Sequence, residues 1–290
     1  MHKYLIILRC GDKSLHSQWF DHGDSPDFDL VLSYFGSVEN YRDKFARSIH
    51  RYKGSKWEGL NDFLANNSEL VSQYRYVWLP DDDILTDVST INAFFAYVDR
   101  ENFALAQPAL DERSFFSHPV TLQNKSFSFR ETNFVEVMVP CFSAAALRTV
   151  KDGFENTKSG WGLDYLWPNQ LAGVGRVGIV DRFAVFHTRP IGSAGHGMGA
   201  SATAPAAVTP VTELHRTLGA FGLKISVKVR RARMRDDKKT LESGLLGNPL
   251  LYLYGAKGSL SVRRENFRGH ARILKEYIPW IHLAHRHERA

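Results

Sequence analysis

The chain has 290 residues, 43% hydrophobic and 23% charged, which suits one large domain, alone or with an appendage, and excludes a collagen, a coiled coil or a wholly disordered chain. Its net charge of +6 is uneven: residues 212–290 carry 17 Lys/Arg against 7 Asp/Glu, a net +10, which leaves −4 for residues 1–211. The acidic body argues against a protein that coats nucleic acid, no apolar run reaches the roughly 18 residues of a membrane span, and two cysteines, Cys10 and Cys141, build no disulfide framework and fit a reducing compartment.

Short apolar runs alternate with amphipathic stretches, the pattern of an α/β domain. Tyr4-Leu5-Ile6-Ile7-Leu8 is a first buried strand, and its apolar run is too short for a signal-peptide core. Phe28 to Phe35 is a second strand, ending at Gly36. Trp57 to Leu64 reads as a helix with Leu60, Phe63 and Leu64 on one face. Tyr76-Val77-Trp78-Leu79 is a third strand, stopped by Pro80. Thr86 or Asp87 can N-cap a helix with Ile91, Phe94, Phe95 and Val98 at helical spacing. Phe103 to Ala106 and Phe134 to Val139 are further expected strands, the latter followed by a helix from Ser143 to Val150. Val177–Val180 and Phe183–Phe186 are expected as two strands that close the core.

The organisation expected is an α/β domain over 1–190, a flexible Gly/Ala-rich loop over 191–211 and a basic extension over 212–290. The extension suits an anionic partner such as a lipid surface, or is a solvated basic face. Tyr277 to His287 mixes aromatic, apolar and basic residues. It suits either a membrane surface or a terminal helix packed on the body.

The most informative feature is Asp81-Asp82-Asp83, which follows a hydrophobic strand and precedes a helix. In an open α/β sheet, ligands bind at the carboxyl ends of the strands. Adjacent like charges repel, and a hard divalent cation shared with substrate phosphates offsets them. On extended backbone Asp81 and Asp83 point the same way, so they can jointly hold one Mg2+ or Mn2+. The alternative is a solvated acidic turn. Gly160-Trp161-Gly162-Leu163-Asp164, with Trp167 beyond it, combines glycines, flat apolar faces suited to a sugar, and a candidate general base in Asp164. The alternative is a buried Trp-rich turn in which Asp164 caps a helix. His187 ends a strand and can be a third metal ligand or a diphosphate donor, with Arg189 beside it to offset diphosphate charge. Gly173-Val174-Gly175-Arg176-Val177-Gly178 matches a dinucleotide fingerprint in letters only, since a helical stretch precedes it and a strand follows.

As an ordered set, Tyr4–His16, Lys56-Trp57, Tyr76–Ile84, Arg130–Pro140 and Gly160–Asp164 resemble domain-of-unknown-function family 707 over about residues 4–190. That family is similar to the A-type-fold glycosyltransferases, which use an Asp-x-Asp motif. The resemblance implies a Rossmann-like single domain, a mixed sheet flanked by helices, with the basic extension outside it. It implies that Asp81, Asp83 and His187 bind the metal, Mn2+ or Mg2+. Arg9, Gly11, Asp12, Asp82 and Arg189 then lie on the donor side, and Trp161, Gly162 and Trp167 on the acceptor side. Asp164 is the candidate base. The activity implied is metal-dependent transfer of a sugar from a nucleotide-sugar donor to a glycan or glycolipid. The expected location is the cytoplasm, either free or peripheral at the inner face of an anionic membrane, with no nucleic-acid partner. The rival readings are a non-catalytic nucleotide-sugar or carbohydrate binder of the same fold, and a metal-dependent phosphoryl-transfer enzyme.

Overall fold

The computed structural model describes residues 1–191, 209–243, 249–259 and 277. The first apolar run forms β1 (Tyr4–Cys10), buried along its whole length. The second forms β2 (Phe28–Tyr34), paired with β1 in parallel, Tyr4 opposite Phe28 and Cys10 opposite Tyr34. Near-continuous apolar runs of this kind are what parallel strands covered on both faces require. β3 (Ser48–Arg51) extends the sheet beyond β2, and β4 (Tyr76–Trp78) flanks β1 on its other side, both in parallel.

Between β3 and β4 lies α1 (Lys56–Asn66), which buries Trp57, Leu60, Phe63 and Leu64. It begins with a capping box: Ser55 accepts from the Glu58 N–H while Glu58 accepts from the Ser55 N–H. A short α2 (Ser68–Ser72) follows. After β5 (Ile84–Leu85), Asp87 caps α3 (Val88–Arg100) by accepting from the Thr90 N–H. This helix buries Ile91, Phe94, Phe95 and Val98, the face that helical spacing predicts.

The chain then runs through β6 (Phe103–Leu110), β7 (Phe127–Thr132), β8 (Cys141–Ser143), α4 (Ala144–Val150), α5 (Leu163–Gln170) and β9 (Arg176–His187). It continues, in the described residues, with α6 (Pro210–Ala220), β10 (Val229–Met234), β11 (Thr240–Glu242) and α7 (Pro249–Ser259). The strand order is β11-β10-β7-β9-β6-β8-β4-β1-β2-β3, with β5 paired to β9. Strands β3, β2, β1 and β4 run parallel, while β8 is antiparallel to both β4 and β6. The sheet is therefore mixed, with apolar clusters on both faces. Tyr4, Ile6 and Leu8 of β1 pack with α3, and Leu5 and Ile7 pack with α1, α4 and α5.

Two local expectations change. Phe134 to Val139 is not a strand but an irregular buried segment between β7 and β8. Its backbone groups are met by partners other than a sheet ladder: the Glu136 N–H donates to Gln107 Oε1, Val137 O accepts from Lys56, and Val139 O accepts from Trp78 Nε1. Val177–Val180 and Phe183–Phe186 are parts of one strand, β9, whose register against β6 shifts between Pro108 and Ala109. The shift absorbs Asp181 to Phe183 as a bulge.

Residues 212–243 of the basic extension join the same sheet. β10 pairs with β7 and β11 with β10, and Leu214, Leu218, Val229 and Leu241 enter a third apolar cluster. Most of the expected glycine-rich loop (192–208) and of the aromatic-basic stretch beyond Tyr277 lies outside the described residues. Among the described residues, no helix is long and apolar enough to cross a membrane.

Candidate active site

The acidic triplet leaves the carboxyl end of β4 and is fixed from three directions. The Asp81 N–H donates to Met138 O (2.9 Å), Asp82 O accepts from the Leu15 N–H (2.8 Å), and Asp83 O accepts from Thr188 N–H and Oγ1 (3.1 and 2.9 Å). The last contact continues the antiparallel pairing of β5 with β9, in which Ile84 lies opposite His187. That pairing carries His187 to the triplet. Its Nε2 is 3.2 Å from Asp83 Oδ2, and both side chains are fully buried.

Asp81, Asp83 and His187 each offer one ligand atom, all within 4.8 Å of one another. The donor set fits a divalent cation: carboxylate oxygens suit Mg2+ and Mn2+, and imidazole is a common further ligand. His187 Nδ1 is 2.8 Å from Phe115 O. A carbonyl only accepts, so Nδ1 carries the proton and Nε2 faces Asp83, the arrangement that second-shell bonds impose on metal-ligating histidines. Asp83, through the hydrogen bond and its charge, raises the His187 pKa against the burial that lowers it.

At the carboxyl end of β1, Asp82 Oδ2 accepts from the Gly11 N–H (2.8 Å), and Asp82 Oδ1 lies 3.4 Å from Arg189 Nη1. Burial raises the Asp82 pKa. Gly11, Asp82 and Arg189 are therefore brought together. Asp12 lies at the same strand end but is exposed. Hydrogen bonds from Ser37 and then Tyr34 hold its carboxyl at about 2. Arg9 is a different case. It is buried, and its guanidinium donates to the carbonyls of Ser33, Tyr52, Ser55 and Gly54. Its donors knit β2, the loop after β3 and the start of α1, so they are engaged by main chain.

In the turn before α5, Gly160 and Gly162 adopt φ of +79° and +102°, the left-handed region that favours glycine. A Cβ at Gly160 would come 2.0 Å from Trp57 Nε1. The turn is held from α6 of the basic extension, where Glu213 accepts from Thr157, Lys158 and Ser159. Trp161 is partly buried. Trp167 is fully buried against Trp57, Phe142 and Phe154, so it presents no face to a ligand. It lies on the core side of α5, and the shape of that helix decides its orientation.

Asp164 is the second residue of α5, and its Oδ1 accepts from the Gly162 and Tyr165 N–H groups (3.1 and 3.0 Å). Burial nevertheless pushes its carboxyl up to about 7. Glu136 adds to this side. It is buried, its pKa is raised well above the usual carboxylate range by burial and then by the charges of Asp164 and Asp81, and its Oε2 has no hydrogen-bond partner among the described residues. The nearby basic atom is His118 Nδ1 at 4.0 Å, and His118 Nε2 is 2.7 Å from the Tyr165 hydroxyl.

Sequence reasoning gave no role to Glu136, Lys56 or Glu213, although the first two stand in segments that carry the family resemblance. Glu136 carries a readable signal, a lone charge inside the apolar run Phe134–Val139. Lys56 and Glu213 have none, because each is an ordinary charged residue in the first turn of a helix.

Comparison with known proteins agrees with this architecture. The S. aureus TarS fragment 1–349 in complex with UDP-GlcNAc superposes with a TM-score of 0.51 at 13% identity, over 76% of this chain and 66% of that one. GalNAc-T7 with UDP, GalNAc and Mn2+ superposes with a TM-score of 0.52 at 9% identity, over 75% of this chain and 48% of that one. The chain thus spans less than two thirds of the length of either. At these identities the likeness concerns the fold, which is that of the A-type glycosyltransferases. No curated protein matches the sequence. The profile of DUF707, described as a protein of unknown function, matches residues 3–213, and the chain belongs to that family.

Proposed function

We propose that this protein is a glycosyltransferase that moves a sugar from a nucleotide-sugar donor to a glycan or glycolipid acceptor with the help of Mn2+ or Mg2+. One observation carries the reading: His187, distant in sequence, meets Asp81 and Asp83 at the carboxyl end of the parallel strands in a fold that nucleotide-sugar glycosyltransferases share. The work is proposed to take place in the cytoplasm, at a membrane face that the basic extension can approach.

Asp81, Asp83 and His187 would hold the cation, which when bound acts as a Lewis acid toward the diphosphate of the departing nucleotide. Arg189, held by Asp82 and by the Lys13 carbonyl, adds a fixed positive charge beside it. Gly11, Asp12 and Asp82 line the donor side at the end of β1. Trp161 and Gly162 border the acceptor. In an inverting reaction Asp164 takes the proton of the acceptor hydroxyl as its oxygen bonds to the anomeric carbon and the bond from that carbon to the diphosphate breaks. A carboxyl poised at about 7 suits a base near neutral pH.

The test is a thermal-shift panel of nucleoside diphosphates and nucleotide sugars, each with and without Mn2+ or Mg2+. A ligand that binds only the folded state raises the Tm by mass action. The expected result is a shift that needs both one nucleotide and the cation, and that Asp83→Asn abolishes. No shift with any donor in the presence of metal would move the protein to a non-catalytic glycan-binding role or to another substrate class.

A further inference from the structure

The cation site has a neighbour that no part of the proposed reaction uses. Lys56 Nζ donates to Asp81 Oδ1 at 2.6 Å, to Val137 O at 2.8 Å and to Met138 O at 3.4 Å. An ammonium has three donors, and here all three meet oxygen. The Lys56 and Asp81 side chains are only 15% and 17% exposed. Lys56 is also the first residue of α1, where the helix dipole disfavours a cation. Local helix chemistry therefore does not explain it, whereas a contact with Asp81 does.

We propose that Lys56 is a resident cation of the metal site. In the unliganded protein it occupies Asp81 and keeps affinity for the free metal ion low. When metal and donor arrive together, its flexible stem lets it pass from Asp81 to the diphosphate. This rests on the metal-site reading above and adds an order to it: the nucleoside diphosphate and the cation enter as a pair.

Two effects of Lys56 on the site compete. Its bond orients the Asp81 carboxylate, which favours metal, and its charge repels a divalent ion. The second dominates because Asp81 is held without Lys56. The Asp81 N–H is bonded to Met138 O, the Leu79 N–H before it to Pro140 O, and Asp82 O after it accepts from the Leu15 N–H. Removing the lysine leaves this backbone in place and takes away a unit charge a few ångströms from the cation, in a partly buried setting where salt screens weakly.

The test is to titrate Mn2+ alone, and then UDP with Mn2+ present, into the wild-type chain and Lys56→Met by calorimetry, with Mn2+ uptake followed by electron paramagnetic resonance. Lys56→Met is expected to bind free Mn2+ about tenfold tighter and UDP with Mn2+ about tenfold weaker. Lys56→Arg keeps the charge and is expected to bind free Mn2+ as weakly as the wild type, which holds the test open should Lys56→Met fail to fold. Unchanged or weaker Mn2+ binding by Lys56→Met overturns this assignment alone and makes Lys56 an anchor for Asp81. No Mn2+ uptake by any variant, with or without UDP, overturns the metal site beneath it as well.

Discussion

Two groups of buried charges lie in this sheet, and they follow opposite rules. Between β7 and β9, Arg130 and Asp181 form a bidentate pair, Nε to Oδ2 at 2.8 Å and Nη2 to Oδ1 at 2.7 Å. Further partners stand nearby: Leu122 O and the Tyr277 hydroxyl accept from Arg130, and the Asn124 N–H donates to Asp181. At the strand ends the balance is reversed. Asp81, Asp82 and Asp83 gather with Glu136 and Asp164 around fewer basic groups, Lys56, Arg189 and His187 among the described residues. A pair that is complete within the protein serves the fold. A group that keeps excess negative charge out of water is stable only with help from a ligand or from a retained proton. Burial raises the pKa values of Asp82, Glu136 and Asp164, as it does that of Asp181, but here no bidentate arginine offsets it.

The contrast has a direct test in stability. Asp181→Asn leaves Arg130 buried without its counter-charge and is expected to cost about 3–5 kcal/mol in urea unfolding. A loss below about 1 kcal/mol would erase the distinction between the two groups. Asp164→Asn is expected to lower turnover by about 10²–10⁴ while leaving stability near neutral pH intact or improved.

The sign with pH follows from the raised value. Asp164 keeps its proton in the folded chain up to about 7, whereas an unfolded carboxyl loses it near ~3.9. The folded state therefore binds more protons across that window, and Asp164 costs stability as pH rises through it. Activity runs the other way, rising through about 7 as the base form appears. The charge of Asp164 acts on Glu136 in the same region, so the limb should be read as a property of the group. Asp164→Asn should flatten both profiles, and a limb that survives the substitution assigns the base elsewhere.

The smallest expected effect is that of Glu136→Gln, which replaces a buried carboxyl that lacks a full partner by a neutral amide of the same shape. It should be neutral or stabilising by about 1 kcal/mol, measured by thermal unfolding at pH 8. A clear destabilisation would mean that Glu136 is paired after all and belongs with Arg130 and Asp181.

Much of the frame was legible in the sequence. β1, β2, β4, α1 and α3 announced themselves through apolar periodicity, a stopping proline and an N-cap, signals that depend only on neighbouring residues. The segment Phe134 to Val139 misled for the same reason. Its apolar pattern reports burial, and burial is correct, but an irregular backbone can also be buried when side chains such as Lys56, Gln107 and Trp78 meet its polar groups. At the site, the position of Asp81 to Asp83 after an apolar strand was enough to mark them. Arg9 and Trp167 looked equally suited to a ligand, yet packing absorbed both.

The sequence by itself determined which segments are buried, where the main helices begin, and that carboxylates stand at the end of a central strand. Only the tertiary structure decided which distant residues meet them: His187 through the β5–β9 pairing, Lys56 from the first turn of α1, Glu136 from a segment without regular structure. The reason is physical. Burial and capping are written in residues a few positions apart, whereas the charge balance of a site is the sum over strands and helices whose register is settled only when the whole sheet closes.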